Sequence, residues 1–254
     1  MLLAIDIGNT HTVLGLFAGQ KLRHQWRIRT DHHATGDELA TTLRSLLALH
    51  DLTLDAVESA ILGSVVPSLK SAWQNLCRDY LGQTAMVVGE VDPGITIELA
   101  ASLEVGADRI INAVAGFARY HRPLIIVDFG TAITFDCVSE TGAYMGGAIA
   151  PGLGISMDAL SQQTAKLPSI DISKPPAKAM GTSTEDAIRS GILFGYGGLV
   201  EGLVARLARE FPAPPLTIAT GGMAELIAPF APTIKHVLPS LTLEGLRLIH
   251  ERNS

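Results

Sequence analysis

Cysteine is almost missing from this 254-residue chain: Cys77 and Cys137 are the only two, and they form no C-x-x-C pair. So few thiols exclude a disulfide framework and a thiolate zinc site, and they read as reduced core residues. Clustered positive charge is lacking as well. The net charge is −6, the pI is near 5.7, and no run of Lys and Arg makes the footprint that nucleic acid or an anionic membrane surface requires. Neither is expected as a partner. No apolar run is expected to reach the roughly 20 residues of a membrane-spanning helix. Asp6 interrupts the first apolar stretch, with no basic lead ahead of it, unlike a secretion signal. A cytoplasmic location is the expectation. Two nucleotide signatures are also absent: no G-x-G-x-x-G follows a strand, the near miss at Gly195 and Gly197 falling inside a helical pattern, and G-x-x-x-x-G-K-[ST] does not occur. Rossmann and P-loop readings fall with them. His32, His33 and His236 are isolated and have no ligand spacing.

What is present begins with Leu2–Phe17, LLAIDIGNTHTVLGLF. Leu3, Ile5 and Ile7 precede a polar turn, and Val13, Leu14 and Leu16 follow it, so strand, tight turn, strand is predicted. Asp6 closes the first strand, Gly8 permits close backbone approach, and Asn9, Thr10, His11 and Thr12 place amides and hydroxyls around the gap. Such a loop suits a phosphate as well as an ordinary hairpin. The pattern then occurs again. Leu124–Cys137, LIIVDFGTAITFDC, repeats apolar run, Asp128, apolar residue, Gly130 and a second strand-like run. A duplicated hairpin predicts an α/β chain of two lobes, each a mixed sheet flanked by helices, here 1–118 and 119–254. The two turns would grip one nucleotide across a cleft.

Between the hairpins, Lys21–Thr30 reads as an edge strand with one wet face, and Gly36–His50 as an amphipathic helix with Asp37 and Glu38 in its first turn. Ala56–Val66 is a strand, Pro67 opens a helix to about Tyr80, and Ala85–Val88 is a short buried strand, giving βββαβαβ. Asp92–Leu103 is a loop with at most one short strand. Glu104–Tyr120 carries Ile110, Val114 and Phe117 as a helical stripe, leaving Gly106, Ala107, Asp108 and Arg109 near its start. Asp there is ordinarily a cap and Arg an ion pair, but the position before the second hairpin would present them to the cleft.

After the second hairpin, Thr141–Ile155 is rich in glycine, serving packing or a ligand. Ser156–Thr164 is a helix, and Ser169–Gly181 an exposed, flap-like loop. Thr184–Glu210 is a long helix capped by Thr184, whose glycines suit either a dimer seam or intrachain contact. Leu216–Thr220 is a strand entering Gly221-Gly222, which would open a helix to Ile227 and offer free amides to a nucleotide. Thr233–Leu238 is the last strand and Leu241–Ile249 the closing helix.

These residues together resemble the type III pantothenate kinases of the acetate and sugar kinase, heat-shock chaperone and actin superfamily. The matching pieces are DIGNTHTVLG at Asp6–Gly15, GADR at Gly106–Arg109, DFGTAITFD at Asp128–Asp136, GGAIAPG at Gly146–Gly152, SGILFGY at Ser190–Tyr196 and ATGG at Ala219–Gly222. The resemblance implies a duplicated ribonuclease-H-like (actin-like ATPase) fold and ATP-dependent phosphorylation of pantothenate, the first step of coenzyme A synthesis. It implies that Asp6, Ile7, Gly8, Asn9, Thr10, His11, Thr12 and Val13, with Thr131, bind ATP. Asp6 would act on magnesium through water, and Asp128 would hold a monovalent cation, potassium or ammonium. Asp108 would be the catalytic base, with Gly106, Ala107, Asp108, Arg109 and Thr184 at pantothenate. Relatives act as homodimers, so Thr184 would serve the neighbouring subunit. Many relatives carry tyrosine and then Asp-Asn-Pro ahead of GADR, where this chain has Leu99-Ala100-Ala101-Ser102. A superfamily kinase for another hydroxyl or carboxyl substrate, or a nucleotide-binding regulatory protein without turnover, are the alternatives; intact Asp6, Asp108, Asp128 and Thr131 argue for turnover.

Overall fold

The computed structural model describes residues 1–99, 105–163, 168 and 170–254. Ala100, Ala101 and Ser102 of the divergent loop, and Glu104, Thr164 and Ser169 of the predicted elements, lie outside them. The strands are β1 (Leu2–Ile7), β2 (His11–Ala18), β3 (Lys21–Arg29), β4 (Ser59–Ser64), β5 (Met86–Val87), β6 (Leu124–Phe129), β7 (Ala132–Val138), β8 (Tyr144–Pro151), β9 (Leu216–Thr220) and β10 (His236–Val237). The helices are α1 (Gly36–Ala48), α2 (Pro67–Tyr80), α3 (Ala107–Tyr120), α4 (Leu153–Gln163), α5 (Thr184–Leu207), α6 (Ala224–Ile227) and α7 (Leu241–Asn253).

The chain divides into two compact units. One holds Met1–Thr96, α3 as far as Ala115, and Ser240–Ser254; the other holds Ile97–Leu99 and Gly116–Pro239. The closing helix α7 therefore belongs with the first unit rather than with the segment 119–254. Its Leu243, Leu246 and Ile249 are buried with Leu2, Ala4, Phe17 and Ile61 of the first sheet.

In the first unit the sheet order is β3-β2-β1-β4-β5. β1 runs antiparallel to β2 and parallel to β4, which is in turn parallel to β5. Strand alternation sends Leu3, Ile5 and Ile7 to the core shared with α1 and α2, whereas Leu2 and Ala4 face α3 and α7. Helices on both faces explain why β1 is apolar at every position but one. Asp6 is that position, half-buried, and its even number places it on the α3 and α7 face. Thr35 and Glu38 close a capping box at α1, each bonding the other's backbone amide.

The second unit repeats the plan: its sheet reads β10-β9-β6-β7-β8, with β6 antiparallel to β7 and parallel to β9. Ile125, Val127 and Phe129 face the core built with α4, α5 and α6. Leu124 and Ile126 lie on the other face, where a Cβ at Gly116 of α3 would come within 3.1 Å of both. Asp128 shares that parity. β1 and β6 carry the same burial pattern, four buried residues, a half-buried aspartate and a buried apolar residue.

Several expectations change. A strand, β8, occupies most of the glycine-rich stretch; its register from Ala132↔Pro151 to Val138↔Tyr144 is imposed by β7, not by alternation of its own. The predicted flap at 169–181 contributes Ile170 and Ile172 to the second core, so only its remainder is an excursion. The cap of α5 is Ser183, whose Oγ accepts from the Asp186 amide at 3.1 Å, leaving Thr184 as the first helical residue. The last strand shrinks to His236–Val237. Thr184–Glu210, contrary to the expectation of no such run, is long and apolar enough to cross a membrane by length and composition. Ile192, Leu193, Val200 and Val204 of this helix are buried in the core of the second unit.

Candidate active site

The first turn is a closed loop of backbone. The Gly8 amide donates to the His11 carbonyl at 3.1 Å, and a Cβ at Gly8 would sit 2.9 Å from that oxygen. The glycine is thus required by the turn itself. Thr30, the residue after β3, donates its amide to the Thr10 carbonyl at 3.0 Å and its hydroxyl to the Gly8 carbonyl at 2.8 Å. A hydroxyl has one proton, so the 3.0 Å contact between the Thr12 and Thr30 hydroxyls is Thr12 donating. Ile7 and Thr12 are buried, whereas Asn9, Thr10 and His11 are exposed and Gly8 and Val13 half-buried.

Asp108 stands in the same unit. The Gly106 carbonyl accepts from the Arg109 and Ile110 amides, which starts α3, and Asp108 Oδ1 accepts from the Arg109 amide at 2.9 Å. A carboxylate in this first turn is favoured by the helix dipole. Gly106 is tied to the end of β1 by a short path. A Cβ there would lie 3.7 Å from Val65 Cγ1, and the Val65 amide donates to the Ile7 carbonyl at 3.1 Å. Gly106, Ala107, Asp108 and Arg109 are all half-buried, so Asp108 is shielded yet reachable.

In the second unit Asp128 pairs across the sheet with Thr134 and Thr220. The Gly130 amide donates to the Ala132 carbonyl at 3.1 Å, and Thr131 is exposed at the tip. Two segments close on this turn that sequence reasoning did not assign to it. The Gly152 amide donates to the Thr131 carbonyl at 3.1 Å, with no room for a side chain: a Cβ would fall 2.2 Å from that oxygen. Gly221, at φ +93°, packs against the carboxylate, where a Cβ would be 2.4 Å from Asp128 Oδ1. Gly221-Gly222 do not open a helix; α6 begins at Ala224 and has four residues, so it offers no anion site of its own. The glycines of GGAIAPG and ATGG were the only sequence signals for this packing. Thr184 is exposed at the start of α5, twelve residues from Tyr196, whose hydroxyl bonds the Pro151 carbonyl at 3.0 Å. At 1.5 Å per residue it stands roughly 18 Å along the axis from that contact.

Behind the second turn lies Asp136, fully buried and accepting from the Thr134 hydroxyl at 2.8 Å and the Tyr144 hydroxyl at 2.9 Å. Cys77 and Cys137 are both free and buried, and burial pushes the Cys77 thiol up to about 12.

The described residues contain no group of three or more His, Cys, Asp or Glu that would hold a metal by protein ligands alone. The acidic turns are of another kind. Each offers one half-buried aspartate, and a lone carboxylate suits a hard cation completed by water and phosphate.

The profile of the type III pantothenate kinase family matches residues 2–206. The chain belongs to this family. A type III pantothenate kinase from Syntrophotalea carbinolica is 51% identical over 254 residues, covering 100% of this chain and 99% of the relative. Among solved structures, a conserved Baf-family protein from Campylobacter jejuni superposes with a TM-score of 0.63 at 18% identity, covering 99% and 98% of the two chains. An inorganic polyphosphate/ATP-glucomannokinase from Arthrobacter gives 0.52 at 17% identity, covering 99% and 98%. The structural likenesses agree with a duplicated ribonuclease-H-like fold, and the family makes the chain a kinase.

Proposed function

We propose that the protein transfers the terminal phosphoryl group of ATP to the primary hydroxyl of pantothenate, giving 4'-phosphopantothenate for coenzyme A synthesis. The observation that carries the reading is the repeat: two strand–turn–strand units, each with a half-buried aspartate as the penultimate residue of its first strand, with Asp108 at a helix start beside the end of β1. Backbone amides and exposed Asn9, Thr10 and His11 of the first turn, with Thr131 of the second, hold the triphosphate. Asp6 holds magnesium through water, and Asp128 a potassium or ammonium ion. Magnesium, when bound, supplies charge neutralisation on the phosphates. Asp108 takes the proton of the substrate hydroxyl as its oxygen bonds to phosphorus and the bond to ADP breaks. An ordinary aspartate is already ionised at neutral pH, so position is what this base needs. Gly106, Ala107 and Arg109 line the pantothenate side.

Thr184 acts at the site of a neighbouring subunit in a homodimer. Support comes from α5, where exposed Phe194 and open Gly191, Gly195 and Gly198 lie along one side of the helix, within reach of close packing by a second copy. The deciding experiment is ADP release with and without pantothenate, run in potassium and in sodium buffers. Pantothenate-dependent release that is faster in potassium is expected; release indifferent to pantothenate refutes the substrate, and equal rates in both buffers refute the role of Asp128.

A further inference from the structure

The sheet orders align β3 with β8, each lying beside the second strand of its own hairpin. The first residue after β3 is Thr30, and the first after β8 is Gly152. Each donates its amide to a carbonyl at the tip of the turn in its own unit, Thr30 to Thr10 at 3.0 Å and Gly152 to Thr131 at 3.1 Å. In the first unit the side chain at this position adds two further bonds, to the Gly8 carbonyl and from the Thr12 hydroxyl. Residues 8, 10 and 12 all hang on it.

We propose that Thr30 is the positioning residue of the first phosphate turn, fixing its amides for the nucleotide without touching the reacting atoms. The inference rests on the nucleotide reading of that turn. Thr30 is 7% exposed, and losing its hydroxyl leaves the Gly8 carbonyl and the Thr12 hydroxyl without that partner. A merely structural role would act on stability. A positioning role acts on nucleotide affinity, because the turn loosens while the fold persists. The fold is expected to tolerate the change: Thr12, Thr30, Thr42, Leu69 and Trp73 line a cavity of about 250 Å³ that adjoins the position.

The test compares Thr30→Val, Thr30→Ser and Thr42→Val, the last altering the same cavity wall away from the turn. Thr42 bonds only its own helix in that wall, to the Glu38 carbonyl at 3.0 Å. Calorimetric affinity for ATP with magnesium should fall on the order of tenfold in Thr30→Val, with a matching rise in KM for ATP and little change in KM for pantothenate. Thr30→Ser should bind as the unaltered chain does, and so should Thr42→Val. Unchanged ATP affinity in Thr30→Val, an equal loss in Thr42→Val, or an equal rise in KM for pantothenate would each overturn the proposal. Should Thr30→Val not fold, the smaller Thr30→Ala carries the same expectation and the same refutation. Affinity is read without turnover, so a chain that binds ATP but ignores pantothenate refutes the substrate reading and leaves this comparison decisive.

Discussion

In the first unit the turn after β1 is held by a side chain, Thr30, whose hydroxyl and amide reach three turn residues. In the second, the equivalent position is Gly152, pressed so close to Thr131 that only its amide takes part; the Tyr196 hydroxyl on α5 reaches the Pro151 and Gly152 carbonyls at the end of β8 rather than the turn. The carboxylates differ in the same way. Asp128 has Gly221 packed on it, whereas Asp6 lies on the face where α3, with Asp108 in its first turn, is packed. One repeat therefore carries a helix-start carboxylate and the other carries crowded backbone. The duplicated fold keeps the amide of this hydrogen-bond plan in both copies, and the first copy adds a side chain to it.

The sharpest way to test that division is Asp108→Asn. Turnover should fall on the order of 10²- to 10⁴-fold with ATP affinity retained, as read by ADP release and calorimetry; no aspartate swapped in the second unit's turn should reproduce that pairing. Next is Gly152→Ala, whose Cβ must displace the Thr131 carbonyl. We expect about 1–3 kcal/mol lost in urea unfolding together with weaker ATP binding, whereas Thr30→Ala should combine an unfolding cost of about 1–3 kcal/mol with the loss of ATP affinity, which Thr30→Ser avoids. Tyr144→Phe removes a donor from the buried Asp136 carboxylate. It should cost about 1–3 kcal/mol in the same unfolding measurement, leaving KM for ATP unmoved.

The smallest effect concerns the first unit alone. His24 and His50 stack with ring centroids 3.9 Å apart, and partial burial, then His50 and Arg23, hold His24 below the ordinary imidazole range. A lowered folded value means protons are taken up on unfolding. The stability associated with neutral His24 is whole above the unfolded pKa of about 6.5 and drains away as pH falls from there through the folded value. Thermal melts at pH 7 and pH 5 should show a smaller drop for His24→Gln than for the unaltered chain.

Much of this architecture was legible in the sequence. The runs LLAIDI and LIIVDF announced buried first strands, and apolar spacing gave α1, α2 and α3 nearly to their ends. The stretch around β8 failed because Gly146, Gly147, Ala148 and Ala150 carry no alternation strong enough to mark a strand; β7 supplies the register. Gly221-Gly222 misled in the opposite sense. A strand followed by two glycines resembles a helix start, yet the positive φ of Gly221 makes it a turn and delays α6 to Ala224. Asp6, Asp108 and Asp128 were singled out by motif. Thr30 was read only as the last residue of a strand.

By itself the sequence determined the repeated hairpin and, through the period of two, the face on which each aspartate lies, because local periodicity encodes conformation and direction. Only the tertiary structure decided what holds the turns. The partner of the Gly8 carbonyl is 22 residues distant along the chain, and sheet register rather than any local pattern brings Thr30 to it, as it brings Gly152 to Thr131.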